Sequence, residues 1–180
     1  MKKHVIAFLA ASLLLFSAVA ESRGNSQIGY LRNNHALFVA DFVETAPHSL
    51  EWHINGSKKG IDRLAAHVQF MKQKLMRGRV IRAWDKFFVL DAAVFPYYST
   101  EMTRLGPQTL QITKQASHAC AYEVIRAHAI VVKVEFFGEG MLGRDHSAIA
   151  DAIIAMPACD DYREEIERFI DWHWMPDARW

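Results

Sequence analysis

Cysteine is scarce in this chain: two among 180 residues, Cys120 and Cys159. They stand 39 positions apart. That spacing excludes a local zinc pair and a C-x-x-C redox motif. Long apolar runs are missing after residue 20, which excludes a membrane span beyond the first segment. No H-E-x-x-H, G-x-S-x-G or phosphate-binding glycine loop occurs, so no motif calls for a metal, a cofactor or a known nucleophile. Neither charge sign dominates, with 21 Lys and Arg against 20 Asp and Glu. A nearly neutral chain gives no footing for nucleic-acid binding as a main role.

What is present begins with an export signature. Met1–His4 is basic, Val5–Ala20 is uncharged, and Ala18-Val19-Ala20 ends in a small-x-small pattern before Glu21. This reads as a cleavable secretory signal peptide over 1–20. The mature chain then runs over 21–180 as one domain, in a bacterial periplasm or secreted. Two cysteines in an exported chain predict a disulfide, Cys120 to Cys159.

Apolar periodicity predicts helices. One is expected over Gln27–Thr45, closed by Pro47, then a connector over 48–60 holding the turn signal Asn55-Gly56. The clearest helix is Ser57–Arg77, where Ile61, Leu64, Ala65, Val68, Met71 and Leu75 share one face. A further periodic stretch runs from Ile81 to Phe95, with a turn at Tyr97–Ser99 and helix resuming towards Arg104. Gly106-Pro107 reads as a break before a helix from Gln108 to Ala129. Val132–Phe136 alternates like a strand, but with no partner strand in sight continued helix is favoured. Short helices over 145–155 and from Asp161, with Glu164 as a capping-box partner, finish the chain. The expected fold is all-α, a bundle of five or six helices with one disulfide. The alternative is α+β with a strand near 130–137.

Candidate sites are weak as motifs. None of the eight histidines after residue 20 pairs at i, i+4, and His48, His53 and Glu51 make only a loose loop cluster, so no metal site is expected. Asp145-His146-Ser147 spells a triad in order, but adjacent residues cannot form the relay, and a helix cap is the better reading. Asp91 falls on an aromatic face with Trp84, Phe88 and Phe95. There it needs a partner or a raised pKa, or it sits at the edge of the stripe beside Arg82 or Arg104.

Charge is unevenly spread. Residues 57–86 hold nine bases against Asp62 and Asp85, a net of +7. Residues 135–180 hold eleven acids against four arginines, a net of −7. Such blocks either neutralise each other or face a partner, and a basic helix can also lie on lipid headgroups. Arg77, Arg79, Arg82, Trp172 and Trp174 are the candidate partner-binding residues, since exposed tryptophan and arginine anchor interfaces. Trp84, Phe88, Asp91 and Tyr97 are the candidate lining of a ligand pocket between helices.

Three functions follow. The first is a protein that binds another protein, as an immunity or inhibitor protein or as an accessory subunit of an envelope machine. The alternative is a carrier or sensor of a small ligand. The third is an enzyme with a non-standard site around Asp91 or the His48–His53 segment.

Overall fold

The computed structural model describes residues 27–141 and 143–178. The expected signal segment lies outside them. Helix α1 (27–33) leads through a 3₁₀ turn, His35–Leu37, into the hairpin β1 (Val39–Ala46) and β2 (Ser49–Asn55). Helices α2 (Lys58–Met76) and α3 (Lys86–Val94) follow, then a second hairpin, β3 (Tyr98–Gly106) and β4 (Thr109–Ala116). Helix α4 (Ala119–Val131) continues as a π-helical segment, Val132–Gly138. Helix α5 (Ser147–Ile154), a 3₁₀ turn (Pro157–Tyr162) and α6 (Arg163–His173) complete the order. The four strands form one antiparallel sheet, β1-β2-β4-β3.

The fold is therefore α+β, and the all-α expectation is overturned. The strands are half-buried, so their signal is alternation. In β2, Leu50, Trp52 and Ile54 are buried while His53 and Asn55 are exposed. In β4, Leu110 and Ile112 are buried between less buried Thr109, Gln111 and Thr113. In the first stretch, Phe38 and Phe42 are four apart, a spacing that suits a helical face and one face of a strand equally. Both hairpins turn on a proline. Pro47-His48 joins β1 to β2, with His48 at φ 63 in the position where a type II turn needs positive φ. Pro107-Gln108 joins β3 to β4, so the Gly106-Pro107 break opens a strand and not a helix. The segment 130–137, offered as the strand of the alternative reading, is helical throughout.

Helix α2 forms as expected. The Ser57 side chain accepts a hydrogen bond from Gly60 N at 3.1 Å, and Ile61 and Leu64 are buried. Helix α6 starts later than expected, on Tyr162 with no side-chain cap; Asp161 sits in the preceding 3₁₀ turn. The inner face of the sheet is covered by the π segment, whose Phe137 ring lies 5.8 Å from Trp52 and 5.8 Å from Phe38. Helix α3 is apolar around most of its circumference and buried among α4, α5 and α6. The disulfide Cys120–Cys159 is present, with both residues fully buried, and it ties the first turn of α4 to the 3₁₀ turn before α6. No helix among the described residues is long and apolar enough to cross a membrane.

Candidate functional site

Two carboxylates are buried on α3. Asp85 is its N-cap, with Oδ1 accepting from Phe87 N at 3.1 Å. The same carboxylate meets His146 Nδ1 at 2.8 Å and the Arg82 guanidinium at 3.4 Å. The other ring nitrogen of His146 lies 2.9 Å from Glu135 Oε1. Both ring nitrogens of His146 are therefore engaged by carboxylates. His146 thus works as a clamp between α3 and the π segment, with no nitrogen left for a substrate. Arg82, at φ 57, donates to Arg144 O at 2.8 Å and covers the rings of Trp84 (4.7 Å) and Phe88 (4.3 Å). Burial lowers the Arg82 pKa, opposed by Asp85, Glu135 and Asp145.

Asp91 is buried as well, 4 % exposed. It accepts from the Tyr98 hydroxyl at 2.9 Å and lies 3.4 Å from His128 Nδ1. Burial pushes its carboxyl up, but His128, Lys114 and the Tyr98 hydrogen bond outweigh that and hold it at about 2. Neither Arg82 nor Arg104 is its partner: Arg82 serves Asp85, and Arg104 pairs with Asp62 at 2.8 Å. Burial lowers Lys114, whose ammonium lies 4.9 Å from the Tyr98 ring centre.

Of the four residues expected to line one pocket, Trp84, Phe88 and Asp91 are linked in series, Phe88 and Asp91 both meeting His128, while Tyr97 is elsewhere. Trp84 and Phe88 meet through Arg82, and Asp91 faces the sheet through Tyr98. Tyr97 stands apart: its hydroxyl donates to Glu165 at 2.9 and 3.0 Å, and its ring contacts His118 and Tyr162. The candidate partner residues divide as well. Arg77 and Arg79 are exposed, and Trp172 is 78 % exposed. Arg82 is inside the Asp85 network, and Trp174 is half-buried, donating to Trp84 O at 3.2 Å. His53 pairs with Glu51 at 2.7 Å, while His48 lies against Tyr122, so the loose histidine cluster does not converge. Among the described residues no group of three or more His, Cys, Asp or Glu could hold a metal ion. Asp145 accepts from Ser147 N and Oγ in a local turn before α5, whose N-cap is His146, and the His146 side chain turns to Asp85, 61 residues away.

A cleft of about 550 Å³ lies between the start of α3, α5 and α6. Its floor is Ile154 and Ile170, and its rim carries Lys86, Asp151, Arg163, Glu167 and Asp171. Lys86 pairs with Asp151, linking the basic block to the acidic one. Arg163 donates to Ile154 O at 3.0 Å and pairs with Asp160. Both cations are thus occupied. Glu167 and Asp171 lie one helical turn apart on α6, exposed, and find no cation among the described residues. No known protein family, curated protein or solved structure matches the chain. Sequence reasoning missed this cleft. The i, i+4 acids of α6 were legible, but Lys86 and Asp151 are 65 residues apart.

Proposed function

We propose that this is an exported carrier or sensor of a small cationic molecule, such as an amine or guanidine, bound in the cleft between α3, α5 and α6. The observation that carries the reading is a cleft of about 550 Å³ whose own cations are neutralised while Glu167 and Asp171 form no ion pair among the described residues. Small-molecule sites fall in the range of roughly 300–1,000 Å³ and combine an apolar floor with a few placed polar groups. Ile154 and Ile170 supply the floor here. The lining is aliphatic and charged, in place of the aromatic walls first expected. The buried Cys120–Cys159 bridge supports an oxidising compartment and hence export.

Isothermal titration with a panel of mono- and diamines, guanidines and quaternary ammonium compounds tests the proposal. One-to-one binding is expected, weakened at least tenfold in Glu167→Gln/Asp171→Asn. A panel without a binder, or a binder indifferent to that double variant, contradicts it.

Binding of another protein is the second reading. It is supported by Trp172, exposed beside a shallow groove lined by Phe169, Arg168 and Glu165. A partner captured by the wild type and lost in Trp172→Ala would favour it.

A further inference from the structure

We infer that the C-terminal tip of α2 is a docking surface for an anionic lipid membrane, independent of the cleft. From Arg63 to Trp84 the chain carries six bases and no acid. Helix α2 buries only Gly60, Ile61 and Leu64, all in its first two turns, and its last turns are half-buried or exposed. The helix closes in a Schellman cap: Gly78, at φ 68, donates to Leu75 O at 2.9 Å, and Arg79 N donates to Lys74 O at 3.0 Å. This cap ends the helix at the surface and leaves Arg77 and Arg79 exposed, with no ion pair among the described residues. Met76, between the helix and those arginines, is 68 % exposed.

Bases at a helix C-terminus complement the helix dipole, which accounts for one or two of these charges. It does not account for the acid-free run or for a bare methionine among unpaired arginines. Among the described residues, the ion pair between the two blocks is made by Lys86 at the start of α3, with Asp151. Cationic side chains around an exposed apolar one suit an anionic bilayer, where the bases meet headgroups and the apolar group enters the boundary beneath them.

Sedimentation of the folded protein with vesicles tests this. Vesicles of phosphatidylglycerol and phosphatidylethanolamine are expected to bind it, and pure phosphatidylcholine vesicles are not. Arg77→Gln/Arg79→Gln should weaken binding by about tenfold or more. Met76→Ser should weaken it less, at unchanged charge, and high salt should release the protein. All three positions are exposed, and an unchanged thermal melt verifies that the variants fold. Equal binding to both vesicle types, no binding, or variants that bind like the wild type would overturn the proposal. So would self-association without lipid that is lost in Arg77→Gln/Arg79→Gln, since it would assign the tip to a second copy of the chain.

Discussion

Along β2 and β4 the buried positions are nearly all hydrocarbon and indole, Leu50, Trp52, Ile54, Leu110, Ile112 and Ala116, with the hydroxyl of Ser49 the one polar exception. Along α3 they alternate between Phe87, Val89, Leu90 and Val94 and the two carboxylates Asp85 and Asp91. The sheet is held by burial, which is non-directional and indifferent to protonation. The helical layer is also held by buried carboxylates set against Arg82, His146 and His128, contacts that depend on both partners, and by a disulfide. An ion pair of this kind adds little over a hydrophobic replacement but is expensive to break from one side. The stability of the helical layer is therefore conditional on charge and redox state, and the sheet shares that dependence only where Tyr98 and Lys114 face Asp91.

The sharpest way to break this contrast is Asp85→Ala. It takes the nearest carboxylate from the buried Arg82 and His146, leaving them only the more distant Glu135 side of the network, and removes the N-cap of α3, so a loss of about 3–5 kcal/mol is expected in urea denaturation at neutral pH. A cost below about 1 kcal/mol would mean the network is ornamental. Cys120→Ser/Cys159→Ser opens a loop closed across 39 residues. The chain-entropy estimate is about 4 kcal/mol, an upper figure for a bridge of this length. The change should lower the melting temperature and loosen the Pro157–Tyr162 turn and α6 first, read by hydrogen exchange.

Acid should separate two helices, α2 and α3, by pH. On α2, burial lowers His67 to about 4, and its Nδ1 finds no hydrogen-bond partner among the described residues. Its folded pKa lies below the unfolded 6.5. Stability is complete above that value and falls, by about 3 kcal/mol, as pH drops towards 4. His67→Phe should flatten this step. In the helical layer, Asp91 is held at about 2 against 3.8 unfolded. Its contribution of about 2 kcal/mol is present above pH 4 and lost between about 4 and 2, a step that Asp91→Asn should erase. Denaturation curves at closely spaced pH values separate the two steps. The smallest effect belongs to Glu167→Gln/Asp171→Asn, expected to change stability by no more than about 0.5 kcal/mol because both residues are exposed.

What was legible in the sequence follows from local physics. Helix α2 announced itself through a stripe from Ile61 to Leu75. The disulfide followed from two cysteines in a chain with an export signature. The strands were harder because each is short and half-buried. The alternation Leu50-Trp52-Ile54 was present but lay in a stretch read as a connector, and Phe38 and Phe42 fit either period. The proline of the second hairpin carried the opposite meaning, since Pro107 favours both a helix start and a turn. The expectation that Asp91 needs a partner was physical, yet its partners Tyr98 and His128 come from a strand and a helix that only the tertiary fold brings together. The same holds for Asp85 and His146, and for the cleft.

The most direct test of the account is an amide NMR titration with the tightest-binding amine or guanidine of the panel. The cleft predicts shifts concentrated at Lys86, Asp151, Ala155, Glu167 and Asp171, with the sheet unmoved. No saturable shifts, or shifts centred on β1–β4, would contradict it.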